Sequence, residues 1–126
     1  MLLENNFYKI NNVVKDAENL HATYDVTLLA DCPVYEGHFP GRPISPGVCN
    51  IGMIQECARL LAETPTMHLT SINVCRLTAV VAPHICPQLH VEVTLTPAGE
   101  AYTLQAQIVD TEGVVYMTLK GLLANI

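Results

Sequence analysis

The second half of the chain is written in a two-residue rhythm. Leu89, Val91, Val93 and Leu95 alternate with His90, Glu92, Thr94 and Thr96. Tyr102, Leu104, Ala106 and Ile108 alternate with Thr103, Gln105 and Gln107. Successive side chains of a strand point to opposite faces, so this pattern makes strands with one face on a core and the other on solvent. Turn signals at 97–100 and 110–113 interrupt it where hairpins are needed. A last strand is expected from about Val114 to Ala124. Met67 to Val81 reads as one long strand leading into the turn Ala82 to Pro87. The rhythm also appears early: Leu20, Ala22, Tyr24, Val26 and Leu28 share one face, and His21, Thr23, Asp25 and Thr27 the other. The turn-rich 16–19 joins this strand in a hairpin with Phe7 to Val14.

One stretch changes period. A helix is expected from about Pro46 to Glu63, with Ser45 as N-cap and Pro46 at the first helical position, where its missing N–H costs nothing. Thr64 and Pro65 stop it. Gly52, Gln55, Glu56, Arg59 and Glu63 fall on one narrow polar stripe. Nearly all else, from Val48 and Cys49 to Leu60 and Leu61, is apolar, so the helix is expected to be wrapped by protein. Asn50 lies off the stripe and needs a partner if buried. Two strands, one helix and three or four long antiparallel strands make an α+β domain over 1–126, a sheet around one long central helix. Its remaining surface favours pairing with a second copy.

Composition removes several classes of function. The chain has 126 residues, one domain's worth, with 50% apolar and 14% charged residues, which excludes general disorder. No apolar run is long enough for a membrane span. The net charge is −6 and no basic run exists, which argues against nucleic acid. Five cysteines, at 32, 49, 57, 75 and 86, include no CxxC pair. With no secretory pattern at the N-terminus, they read as reduced, mostly buried thiols of a cytoplasmic protein. No metal-ligand spacing is found among the cysteines and the histidines at 21, 38, 68, 84 and 90.

Chemistry concentrates between Gly37 and Val48. Phe39, Arg42 and Ser45 each precede a proline, which holds this loop extended as it enters the helix. Within it, His38, Phe39, Pro40, Gly41, Pro43, Ile44, Pro46, Gly47 and Val48 form a long ordered motif. It resembles the signature of the hotdog-fold 3-hydroxyacyl-acyl-carrier-protein dehydratases, and the strand order extends the resemblance over essentially the whole chain. The resemblance implies a dimer whose two helices are wrapped by one continuous sheet. Acyl chain and phosphopantetheine arm would lie in a tunnel at the interface. It also implies that His38 is the base at C2 of a 3-hydroxyacyl thioester and that the Gly47 N–H polarises the thioester carbonyl. Phe39, Pro46, Val48 and Gly52 complete the substrate-binding set. No metal or organic cofactor is implied, and the acyl group rides on the carrier's phosphopantetheine or on CoA.

The residues suit that chemistry. Imidazole titrates near neutrality without help, and a helix N-terminus offers free N–H groups to a developing enolate oxygen. One position departs from the family. Its acid lies fourteen residues after the histidine, where this chain has Gly52. Four residues further stands Glu56, on the same helix face and about 6 Å along the axis. Three explanations stay open. Glu56 reaches back as the acid, a related partner subunit supplies one, or dehydration is lost. The plainer reading of Glu56 is a solvated residue paired with Arg59.

The expected function is conversion of 3-hydroxyacyl-carrier-protein to the trans-2-enoyl thioester, in fatty-acid, polyketide or polyene synthesis. Expected partners are the acyl thioester, its carrier protein and a second copy, with a heterodimer or a trimer of dimers as further assemblies. Alternatives are a helper subunit for an acid-bearing homologue and a hotdog thioesterase in which Glu56 activates water.

Overall fold

The protein's structure, a computed structural model, describes residues 2–16, 18, 20–37 and 44–125. Strands β1 (Tyr8–Asp16) and β2 (His21–Leu28) form the expected hairpin. The short turn of helix α1 (Val34–Gly37) and the long helix α2 (Gly47–Ala62) follow. Then come β3 (Met67–Leu77), β4 (Gln88–Ala98), β5 (Ala101–Asp110) and β6 (Val115–Asn125). The six strands make one antiparallel sheet in the order β1-β2-β4-β5-β6-β3, packed on α2. This is the expected α+β arrangement.

The alternation in the sequence becomes the two faces of the sheet. Every inward residue expected of β2 and β4 is buried: Ala22, Tyr24, Val26, Leu28, Leu89, Val91, Val93 and Leu95. Register carries the layer across the sheet, with Tyr24 opposite Val91, Val91 opposite Ile108, and Ile108 opposite Met117. Met53, Ile54, Cys57, Ala58 and Leu61 of α2 close the core. Each large aliphatic side chain so buried contributes about 1.5–3 kcal/mol. Phe7 and Tyr8 are fully buried, and the Phe7 ring stacks on Tyr35 with centroids 5.9 Å apart.

Strand β3 ends at Leu77, short of Val81. Beyond it the N–H groups of Thr78 and Ala79 both donate to the Tyr116 carbonyl, at 2.9 and 3.3 Å, and the chain leaves the sheet. The register between β3 and β6 also slips twice, between Leu69 and Ser71 and between Ile72 and Val74. There the β3 backbone comes so close that a Cβ on Gly121 would collide with the Ser71 carbonyl oxygen, so β6 needs glycine at that place. As an edge strand β3 leaves Ile72 and Leu77 exposed. Among the described residues no helix is long and apolar enough to cross a membrane.

Candidate active site

The entrance to α2 is built one residue later than its sequence suggests. Pro46, in extended conformation, is the N-cap, and no side chain caps the helix. Ser45 is held elsewhere. Its hydroxyl donates to Asn50 Oδ1, and its N–H donates to the Val81 carbonyl at 2.6 Å. The entry is thus fixed by a neighbouring segment and by the helix's own first turn. The Pro46 carbonyl accepts from the N–H groups of Cys49 and Asn50, at 3.0 and 3.1 Å. That leaves the Gly47 and Val48 N–H groups as donors the helix itself cannot satisfy. Gly47 is exposed, and a Cβ built there would meet nothing within 4 Å among the described residues. Asn50 is fully buried with Ser45 as its partner, and its Nδ2 has no acceptor among the described residues.

Further along the helix the surroundings close. A Cβ on Gly52 would stand 2.7 Å from Leu3 Cδ1. The place where the resembled family carries its acid is filled by a leucine from the start of the chain. Glu56 holds that leucine in position. Its Oε2 accepts the Leu3 N–H at 2.7 Å, and its Oε1 accepts the Glu4 N–H at 2.9 Å and the Tyr8 hydroxyl at 3.0 Å. Glu56 is only 8% exposed. The solvated carboxylate paired with Arg59 is therefore corrected: a buried carboxylate must be matched by donors, and the N-terminal segment supplies three. Arg59 turns instead to the start of β3, donating from Nε to the Met67 carbonyl at 2.5 Å and pairing with His68 Nδ1 at 2.8 Å. Gln55 Oε1 accepts the Leu69 N–H at 2.8 Å. The polar stripe is thus largely spent on the chain's own backbone, while apolar Val48 and Leu60 face solvent, Val48 at 76%.

Burial decides the behaviour of the nearby thiols and phenols. It pushes the Cys57 thiol up to about 12 and raises Cys49 as well, with Cys32 adding to the latter, so neither is an activated nucleophile. Burial, with Cys57 and Glu56 beside it, holds the Tyr8 phenol far above its ordinary range, so Tyr8 stays a donor. Cys32 and Cys57 are buried, Cys49 and Cys86 partly so, and Cys75 is exposed, fewer hidden thiols than the sequence suggested.

Of the sequence-derived site, Pro46, Gly47 and Val48 meet at the helix entrance, and Gly52 and Glu56 meet under Leu3. His38 and Phe39 lie outside the described residues, as does Arg42. The sequence reading missed Leu3, Glu4 and Tyr8. The available signals were a glycine inside a helix, which permits close approach, and a carboxylate in an apolar surround, which demands donors. A shallow groove of about 270 Å³ lies on the outer face of the sheet, among His21, Glu92, Thr94 and Gln107. Its polar groups bond one another: Gln107 Nε2 donates to Glu92 Oε1 at 2.7 Å, and His21 Nδ1 pairs with Thr94 Oγ1 at 2.8 Å.

Comparison with known proteins gives the family and the fold. The model of the ApeI-like family, described as ApeI dehydratase, matches residues 13–117. The 3-hydroxyacyl-[acyl-carrier-protein] dehydratase FabZ of Pediococcus pentosaceus is 30% identical over 86 residues, covering 64% of this chain and 56% of that protein. FabZ of Shewanella woodyi is 34% identical over 86 residues, covering 62% and 54%. The matched stretch thus spans little more than half the length of these relatives. Among solved structures, a putative thioesterase, yhdA, from Lactococcus lactis aligns with TM-score 0.68 and 9% identity over 98% of this chain and 97% of that one. The (R)-hydratase from A. caviae aligns with TM-score 0.63 and 12% identity, over 86% and 96%. At such identities these structures establish the hotdog fold alone.

Proposed function

The chain belongs to the ApeI-like dehydratase family, and from that premise we propose that it converts a 3-hydroxyacyl thioester to the trans-2-enoyl thioester and water. The acyl group arrives on the phosphopantetheine of an acyl carrier protein or on CoA. His38 takes the proton from C2. The C2–H electron pair becomes the C2–C3 double bond as the C3–O bond breaks. The departing hydroxyl takes a proton from Glu56 and leaves as water. The proton on His38 returns to Glu56 through solvent, and the site is restored. No metal or organic cofactor enters this chemistry.

The observation that carries this reading is the space beside Gly47, free of every other described residue, where the helix presents amides it cannot satisfy itself. A thioester carbonyl can approach there, and the positive end of the helix dipole favours charge developing on its oxygen. Phe39, Pro46, Val48 and Gly52 flank the acyl thioester in this reading. A second copy is the expected partner, with a heterodimer or trimer of dimers as further assemblies. Exposed Val48 and the exposed edge residues Ile72 and Leu77 support pairing.

The test is to incubate the purified chain with a 3-hydroxyacyl-carrier protein and follow loss of water by mass. His38→Ala is expected to lower turnover by about 10²–10⁴-fold, the range for a general base, with thermal unfolding unchanged. Full activity in that variant overturns the mechanism, and release of free thiol instead of enoyl product marks a thioesterase.

One observation favours a second reading. Leu3 occupies the seat over Gly52, as in a helper subunit whose acid comes from a homologue. A chain inactive alone, and active once mixed with an acid-bearing homologue, supports that reading.

A further inference from the structure

The contacts of Glu56 raise a difficulty for any proton transfer there. One oxygen is held by the Leu3 N–H, and the other by the Glu4 N–H and the Tyr8 hydroxyl. Leu3 lies over Gly52, one helical turn before Glu56. The segment doing this is compact. The Leu3 carbonyl accepts the N–H groups of Asn6, Phe7 and Tyr8 at 3.0, 2.7 and 3.4 Å, and the Asn5 N–H donates to the Tyr8 carbonyl at 2.6 Å. Asn5 turns the chain with φ of 68°. Behind the turn, Phe7 and Tyr8 are fully buried, whereas Leu2, Asn5 and Asn6 are exposed. The segment therefore has a fixed root at Phe7–Tyr8. Residues 2–4 are tied to that root by the turn's own hydrogen bonds, with Asn6 Nδ2 also donating to the Leu2 carbonyl at 3.1 Å, and to α2 by the Leu3 side chain and two hydrogen bonds to Glu56.

We infer that residues 2–4 form a releasable strap in which Leu3 occupies the seat of the substrate's acyl carbons over Gly52, and that an acyl group entering that seat displaces Leu3 and frees Glu56. This rests on the dehydratase reading. The exchange is apolar for apolar: an aliphatic side chain gives way to an aliphatic acyl chain. Once the strap leaves, Glu56 Oε2 loses the one hydrogen-bond donor it has among the described residues and faces the vacated seat. Tyr8, rooted in the core, keeps its hold on Oε1 and acts as the positioning residue. Gly52 is then the socket that lets one seat serve both occupants, and Glu56 is both clasp and acid.

Two variants open the strap by different routes. In Gly52→Ala the new methyl group meets the flexible end of Leu3 and expels it, and alanine suits the helix better than glycine. In Leu3→Ala the seat is emptied. Hydrogen exchange at the Leu3 and Glu4 amides is measured with and without an acyl-pantetheine amide, in which nitrogen replaces the thioester sulfur. The parent is expected to exchange these amides roughly tenfold faster or more when the probe is bound, and both variants to do so without it. Turnover in Leu3→Ala is expected to exceed the parent's severalfold, and Tyr8→Phe to lower kcat more than KM. Unchanged exchange in the probe-bound parent or in Gly52→Ala overturns the strap, as does faster exchange in Leu3→Ala with no gain in turnover over an active parent. Probe-induced release with no turnover in any form supports the strap and overturns the dehydratase reading instead.

Discussion

Gly47 and Gly52 stand on the same helix, and a side chain grafted onto each would meet opposite surroundings. At Gly47 it would meet no other described residue, beside amides the helix cannot satisfy itself, whereas at Gly52 it would run into Leu3. The polar groups nearby differ in the same sense. In the first turn the Gly47 and Val48 N–H groups have no partner within the helix, and Asn50 Nδ2 has no acceptor among the described residues. Glu56, one turn beyond Gly52, has both oxygens engaged. Close packing thus accounts for glycine at the second position, and the described residues do not crowd the first. The helix sequence does not distinguish them. What distinguishes them is which other segment of the chain is brought alongside.

The sharpest way to break this contrast is to remove the donor at the open end. Gly47→Pro deletes the N–H at the first helical position, where proline is well tolerated, and the extended Pro46 before it is compatible. Turnover is expected to fall by about 10²–10³-fold, as for loss of an oxyanion donor, with no loss of thermal stability. Normal turnover would remove Gly47 from the mechanism. At the closed end the effect is on stability. Glu56→Ala leaves the fully buried Tyr8 hydroxyl without its acceptor and is expected to cost about 1–3 kcal/mol in denaturant unfolding. A double-mutant cycle with Arg59→Ala should show near-additive effects, because the two side chains bind different segments. Strong coupling would restore the local ion pair. Tyr8→Phe, which removes one hydrogen bond and keeps the ring, is expected to cost about 0.5–1.5 kcal/mol.

The smallest effect is a control remote from α2. Asp110 caps the turn between β5 and β6, accepting the N–H groups of Glu112 and Val114 at 2.9 Å each. The Val114 N–H bond, then those of Glu112 and the Tyr116 hydroxyl, hold its carboxyl below the ordinary range. A carboxyl lowered in the folded state adds stability above its unfolded pKa and loses it as pH falls through the folded value. Asp110→Asn should therefore lower the thermal midpoint slightly at neutral pH, and the difference should vanish in strong acid. Exchange at Leu3 should not change.

The sheet was legible because alternation is local. A strand with one buried face must repeat every two residues, and β2, β4 up to Leu95 and β5 up to Ile108 do so. Strand β3 was placed but ended too late, since it is an edge strand with two register slips and its exposed residues carry no such pattern. The body of α2 was read to within a residue at each end, but its cap was not. Ser45 has the chemistry of a cap, and Asn50 and Val81 compete for it. Arg59 is near Glu56 in sequence, yet the true partners of Glu56 lie 48 to 53 residues away. A one-dimensional reading ranks near partners first, whereas burial selects whichever donors the fold delivers.

The order of strands has a consequence for how the molecule comes together. Strands β4, β5 and β6 pair with their neighbours in sequence through short turns, so they can zip early. The pairings of β2 with β4 and of β3 with β6 must close much longer loops and carry the larger entropic cost. Helix α2 bridges these two late strands. The topology therefore predicts that the meander pairs before the helix is enclosed, so a lesion in the meander is expected to reduce the yield of folded protein more than one on the exposed face of α2.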